Sequence, residues 1–433
     1  MLRAVASSDG GVRNESIFAN LVNLPSINST IRPPEFIESP VLSSPGFLCL
    51  SAVGEFLTKV HFELYPQLIV VRPAEFKSHI GCIPVDFCQM NAETHAVCNN
   101  KVVHKIQLSC KKVNNRICFE NLDMFEKWKE ALGRYTVQHR VEEEYRMKEV
   151  IGKGTFGVVI KGECKKTGGE VAIKKYKKQD FAENNEVKRS ILTEARILGT
   201  VDHKNTIKLK ALYEDDSNLY IVTDLCEGAD LLLKIVVEGS LRPVVALKYM
   251  RSILSILAHL ERKKIVHRDL KPQNVLLWSL EDASDVCLID YGFACKVEDC
   301  MSMFPRAGTK GYIAPEIAKG EAYGCKADVY SAGIILYLML CGDIPAGSSI
   351  VVGNDPALSR MPKNIISLLS QMIETNQGAR ITASEALKHE AFLLLENVME
   401  EDDRTRSPSD SLATLRLKEA VATLKWNHNR STI

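Results

Sequence analysis

The nine residues Val266-His267-Arg268-Asp269-Leu270-Lys271-Pro272-Gln273-Asn274 constrain this chain more than any other stretch. They sit between two apolar runs, Ser252 to Leu260 and Val275 to Leu277, and so read as a turn. An Asp with an Asn five positions on gives the turn two oxygen-bearing side chains. One can take a proton from an attacking hydroxyl and the other can grip a divalent cation. Alone, the same residues also suit a solvated turn that does no chemistry.

Four further segments fall on either side of it. Upstream is Ile151-Gly152-Lys153-Gly154-Thr155-Phe156-Gly157-Val158-Val159, a glycine-rich stretch whose missing side chains let backbone N–H groups approach phosphates. Val171-Ala172-Ile173-Lys174 follows, a short apolar strand ending in a lysine. Downstream come Leu288-Ile289-Asp290-Tyr291-Gly292 and Ala314-Pro315-Glu316. Each motif is weak alone, but the five in this order resemble the eukaryotic protein kinases. Lys271, two residues after Asp269, and Gly308-Thr309 ahead of Tyr312 resemble the serine/threonine class. The end of the domain, Arg380 to His389, is similar to calcium/calmodulin-dependent kinases.

The resemblance implies MgATP as cofactor and assigns roles. Asp269 would accept the substrate hydroxyl's proton, Lys271 would meet the γ-phosphate, and Asn274 and Asp290 would hold Mg²⁺. Lys174 would grip the α- and β-phosphates, fixed by Glu194 on a helix through Val187 to Leu198. Ile151, Gly152, Gly154, Gly157, Val159 and Ala172 would surround the nucleotide. Thr223 would be the gatekeeper, Asp224 to Gly228 (with Cys226) the adenine-binding hinge, and Asp230 the acidic position at the ribose or a helix N-cap. Asp328 would cap the catalytic-loop backbone, and Arg380 would pair with Glu316. Arg268 would meet either a phosphorylated Ser302 or a segment ordered by its own packing. Tyr291 stands where the family has phenylalanine, and its hydroxyl needs a partner if buried. The stretch Ala346 to Arg360 is shorter than the family's substrate-facing segment.

At 433 residues the chain is too long for one ordinary domain. A net charge of +1 gives no reason to expect nucleic acid as partner. Thirteen cysteines without a C-x-x-C pair argue against a zinc ribbon or a disulfide framework, and suit a cytoplasmic home. The most apolar run, Ala332 to Cys341, is too short to span a bilayer and reads as a buried helix.

Residues 1–43 mix Asn, Ser and Pro and read as a flexible arm. Residues 44–136 carry six β-prone runs (47–50, 59–64, 67–71, 79–87, 101–108 and 115–120), then a helix with Leu122, Phe125, Trp128 and Leu132 on one face. Asp123 with Glu126 offers that helix a capping-box-like start. Strands closed by one Trp-bearing helix resemble the pleckstrin homology (PH) domain, a bent β-sandwich. Lys59 and His61 fit a phosphoinositide grip, while Glu55 opposes it, so a protein partner is the competing reading. Gln138 to Tyr145 reads as a linker.

The kinase-like region spans 145–395 and the tail 396–433. Within the tail, residues 412–430 form a basic amphipathic pattern (Leu417, Ala420, Val421, Leu424, with Arg416, Lys418 and Lys425) that resembles a calmodulin target or an autoinhibitory helix. The expected architecture is α+β: a bilobal kinase fold behind a PH-like module. The expected function is transfer of the γ-phosphoryl of MgATP to Ser/Thr hydroxyls of proteins, in the cytoplasm or peripheral to a membrane. The alternative is a pseudokinase scaffold that acts through its binding surfaces.

Overall fold

Strict alternation decides the N-terminal part of the chain. In Leu57–Tyr65, Val60, Phe62 and Leu64 are buried while Lys59, His61 and Glu63 between them are not, as a sheet with one face on a core requires. The structure is a computed structural model that describes residues 40–49, 57–65, 68–73, 81–85, 87–98, 101–110, 113–153, 157–278, 285–300, 308–345, 356–393 and 395. Two compact units emerge: Met1–Glu143 with Ala211–Tyr220, and Glu144–Lys210 with Ile221–Ile433.

In the first unit, β1 (Leu42–Cys49), β2 (Leu57–Tyr65), β3 (Leu68–Pro73), β4 (Gly81–Pro84), β5 (Gln89–Cys98), β6 (Lys101–Cys110) and β7 (Val113–Phe119) pair antiparallel in the order β4-β3-β2-β1-β7-β6-β5. Helix α1 (Leu122–Gly133) follows, burying Phe125, Trp128 and Leu132. Trp128 lies beside Phe62 and Phe119, at centroid distances of 5.8 and 5.6 Å, and donates its Nε1–H to Ser44 Oγ at 2.7 Å. That bond satisfies the one polar atom of a fully buried ring.

Three expectations change here. Leu122 stays exposed in the first turn, so the helix buries three of the four apolar residues. The cap is Asn121, which accepts from Met124 N at 3.1 Å, in place of the Asp123 box. A seventh strand, β5, escapes alternation because its polar Glu93-Thr94-His95 run and a bulge between Glu93 and Ala96 break the period, with His95 at φ 58°. The expected linker also begins with structure. In this unit Val137 and Gln138 (β8) pair in parallel with Leu212 and Tyr213 of β12 (Leu209–Glu214).

In the second unit, β9 (Tyr145–Lys153), β10 (Val158–Cys164) and β11 (Glu170–Lys177) form an antiparallel sheet; β13 (Asn218–Asp224), which enters this unit at Ile221, is next to β11 in strand order. Helix α2 (Asn185–Thr200) starts at an Asn184 cap and buries Ile191, Ala195 and Leu198 on one side. Then come α3 (Leu231–Glu238), α4 (Pro243–Arg262), the ribbons β14 (Ile265–Val266) with β17 (Cys295–Lys296) and β15 (Val275–Leu277) with β16 (Val286–Leu288), α5 (Pro315–Lys319), α6 (Lys326–Cys341), α7 (Lys363–Met372) and the short α8 (Ala383–Ala386). Helix α4 is long and apolar enough to cross a bilayer, but Leu247, Met250, Ile253, Leu254 and Leu257 bury it inside the unit. Helix α6 is the buried helix expected from the 332–341 run.

Candidate active site

Register brings the first groups together. Val159 of β10 faces Gly152 on one side and Lys174 on the other, so three strands line up the glycine stretch with the lysine. Ala172 lies two residues before Lys174 on the same strand face. Gly157 is required sterically, since a Cβ there would sit 2.4 Å from Lys175 O. Its missing side chain thus serves strand packing as well as any approach by phosphate. Gly154 lies outside the described residues.

Lys174 forms an ion pair with Glu194, which is buried on α2. Burial opposes the ammonium's charge, but the carboxylates of Glu194 and Asp290 outweigh it and hold the Lys174 pKa above its ordinary value. Tyr176 donates to the other oxygen of Glu194 at 2.9 Å. The sequence reading missed it, although a residue two beyond Lys174 must share its strand face. Burial and the adjacent Glu194 charge push the Tyr176 phenol well up, so it stays a donor.

The catalytic-loop turn is held from outside. Asp328 on α6 accepts the backbone N–H of His267 at 2.7 Å and of Arg268 at 2.9 Å, as expected. That fixes Arg268 at φ 68°, a left-handed backbone that a non-glycine residue keeps only when its surroundings impose it. Arg268 donates to Phe293 O (2.6 Å), Tyr323 Oη (3.1 Å) and Cys300 O (3.5 Å). Ser302 lies outside the described residues. Contrary to the expectation for the cysteines, Cys295 and Cys300 form a disulfide, their Cα atoms 5.7 Å apart.

Asp269 is buried to 5 % exposure and accepts three contacts: Thr309 Oγ1 to Oδ1 at 2.6 Å, Lys271 Nζ to Oδ2 at 2.7 Å, and a longer Asn274 Nδ2 contact at 3.4 Å. Lys271 also donates to Thr309 Oγ1 at 3.1 Å. Asn274 donates more closely to Asp269 O, at 2.9 Å, which leaves its amide oxygen as the group to meet a cation. Asp290 sits at φ 64° with Gly292 N 3.3 Å from its Oδ1. Gly157, Val159, Lys174, Glu194, Asp269, Lys271 and Asp290 line one cavity of about 170 Å³. A larger, more open hollow along Gln179–Glu186 holds none of the expected groups.

Tyr291 is fully buried against His267, the ring centroids 5.1 Å apart, and its hydroxyl lies 2.7 Å from Thr206 Oγ1. The buried hydroxyl therefore has the partner it requires. On the adenine side, Thr223 is buried at the end of β13, and Asp224 is tied to Lys210 Nζ at 2.6 Å and Lys208 N at 3.0 Å. Cys226 donates its thiol to Leu277 O at 2.9 Å. A Cβ on Gly228 would lie 1.8 Å from that carbonyl, so the hinge approaches β15 as only glycine allows. Asp230 caps α3, accepting from Leu233 N at 2.8 Å, which is the local role expected of it. Further off, Arg380 makes two bonds to Glu316, at 2.6 and 2.9 Å, in the buried pair the sequence implied.

Asp290 lines the cleft and Asn274 lies behind its Asp269, bonded to that residue's carbonyl; a carboxylate and an amide oxygen are hard donors of the kind that suits Mg²⁺, which keeps most of its ligands from water and phosphate. Among the described residues no group of three or more His, Cys, Asp or Glu is gathered that could hold a metal ion. Segment 346–355 and the tail 396–433 lie outside the described residues, and so do the substrate-segment and amphipathic-helix readings that rest on them.

The protein kinase domain family matches residues 145–392. The chain is 37% identical over 262 residues to calcium-dependent protein kinase 5 of Plasmodium berghei, covering 57% of this chain and 45% of that protein. It is 35% identical over 268 residues to the calcium/calmodulin-dependent protein kinase type II alpha chain of Drosophila melanogaster, covering 58% and 48%. It is 37% identical over 205 residues to myosin light chain kinase A of Dictyostelium discoideum, covering 47% and 69%. The chain thus spans about half the length of the first two relatives. All the groups just described fall within the matched segment, and the chain belongs to the protein kinase family, with a domain of the serine/threonine type that uses ATP and Mg²⁺.

Proposed function

We propose that the protein transfers the γ-phosphoryl of MgATP to serine or threonine hydroxyls of protein substrates. The observation that carries this is the Asp269 carboxylate, held at once by Thr309 and Lys271 in the cavity that also receives Lys174 and Asp290. Bound MgATP supplies the phosphoryl group and a cation that offsets its charge. Asp269 orients the acceptor hydroxyl and takes its proton at a carboxylate oxygen. Lys271 stands where charge gathers on the transferred group, and Lys174, fixed by Glu194, steadies the phosphates behind it. The Thr309 and Lys271 contacts favour Ser/Thr acceptors. Mass spectrometry of a mixed peptide library after incubation with MgATP should place phosphate on Ser and Thr. Phosphate on Tyr alone, or none at all, would remove the proposal.

The N-terminal module serves, in our reading, as a PH-like docking domain for a protein partner. Of the expected grip, His61 lies 2.7 Å from Ser43 Oγ and the nearby Arg72 pairs with Glu63 at 3.0 Å, which leaves the exposed Lys59 as a single lysine and a poor anchor for a phosphoinositide. Sedimentation with phosphoinositide vesicles tests this, and headgroup-dependent pelleting would favour the lipid. The relatives' names tie those proteins to calcium, and residues 412–430 are the place where a calmodulin-like partner or autoinhibition would act here. A chain ending at Leu395 should then be faster than the full chain and indifferent to calcium.

A further inference from the structure

Tyr291 departs from the family's phenylalanine only by a hydroxyl, and that hydroxyl is not idle. Thr206 Oγ1 lies 3.3 Å from Leu288 O and 2.7 Å from Tyr291 Oη. The threonine has one proton, and the Leu288 carbonyl can only accept. The coherent arrangement is therefore a chain in which Tyr291 donates to Thr206 and Thr206 donates to Leu288. All of it is dry, with Thr206 at 1% and Tyr291 at 0% exposure.

The same dipeptide, Asn205-Thr206, holds the strand that leads into Asp290. Asn205 O accepts Leu288 N at 2.8 Å, and Asn205 Nδ2 donates to Val286 O at 2.9 Å. On that side Ile289 N also bonds to Asn274 O at 2.9 Å, tying the segment to the other cation-side residue. Asp290 itself keeps a left-handed backbone, a conformation uncommon outside glycine that Asp tolerates better than most residues, and here both of its flanks are held. Leu288 and Ile289 fix the preceding flank, and the Tyr291 hydroxyl fixes the following one to the same turn.

We infer that Tyr291 and Thr206 are positioning residues for the Mg²⁺-binding step: their hydrogen bond latches the Asp290 carboxylate in its cation-facing pose, a latch a phenylalanine cannot make. The inference rests on the kinase reading of the site. Tyr291→Phe keeps the ring against His267 and removes only the donor, while Thr206→Val removes the acceptor at equal size. Thr206→Ser keeps the hydroxyl.

The test uses the full chain and titrates Mg²⁺ in two readouts: ADP-dependent thermal stabilisation, and transfer from ATP to a basic Ser/Thr peptide. Tyr291→Phe and Thr206→Val should each raise the Mg²⁺ midpoint about threefold to tenfold, the span expected for one hydrogen bond. kcat should fall in step while the peptide KM stays put. The double variant should be no worse than the worse single one, and Thr206→Ser should match the wild type. A Mg²⁺ midpoint for Tyr291→Phe within about twofold of wild type would overturn the latch, since one hydrogen bond should exceed that. So would a double variant whose losses multiply, because the two groups would then act separately. If the wild type binds MgADP but transfers nothing, the transferase reading fails and the thermal readout still decides the latch.

Discussion

Tyr176 is the residue that most changes how the phosphate lysine is understood. Glu194 accepts from Lys174 on one oxygen and from Tyr176 on the other, so its carboxylate is aimed by two neighbours on a single strand. Tyr176→Phe should weaken transfer by about tenfold to a hundredfold, the worth of one hydrogen bond to a charged group, with unfolding little altered. A kinetic assay beside a thermal melt checks both halves. Cys226 offers a second residue-level expectation. Burial pushes its thiol up to about 11, and it donates to Leu277 O, so it is a neutral and poor nucleophile at pH 8. Alkylation should spare it at pH 8 and begin only as pH approaches its pKa. Fast labelling at neutral pH would contradict the assignment. Both residues show what could be read without coordinates. The Lys174, Asp269 and Asp290 motifs were legible because the chemistry demands those residue types at fixed spacing. Tyr176 was legible in principle, by strand period alone. Thr206 carried no signal, since its partner Tyr291 is 85 positions away.

Among the elements, the Glu316–Arg380 pair joins the start of α5 to the loop before α8. Both side chains are nearly inaccessible, and Arg380 also donates to Glu374 O at 2.8 Å and Lys326 O at 2.9 Å. Arg380→Ala would strand a buried carboxylate, at a cost of about 3–5 kcal/mol in urea unfolding. Arg380→Lys should recover little, because one ammonium cannot reproduce the planar fork. The Cys295–Cys300 disulfide fastens β17, which pairs with β14 at the entrance to the catalytic loop. Its removal should cost about 2 kcal/mol by loop closure alone. An unreduced digest should yield the two cysteines in linked form, and free thiols there would contradict the bridge. Five residues of separation carry no pattern that distinguishes a bridge from two small apolar side chains, which is why composition argued against it. Strand β5 was hidden for a related reason: its bulge and its polar residues erase the period by which a strand is read.

Across the chain, residues separated by more than a hundred positions serve one cleft. Lys174 and Val159 come from a sheet, Glu194 from a helix, and Asp269, Lys271 and Asp290 from turns pinned by α6 and by Thr206. Sequence order showed which groups belong together, but only the fold shows what holds each in place: Asp328 under the loop, Thr309 against Asp269, and Asn205-Thr206 behind Asp290. The most direct measurement is single-turnover phosphoryl transfer to a basic Ser/Thr peptide by the full chain, run beside Asp269→Asn, with MgATP binding checked in both. The wild type should transfer and the variant should bind equally well yet be slower by about 10²–10⁴-fold, the worth of a positioned base. Equal rates in the two proteins would contradict the role given to Asp269 and the account built on it.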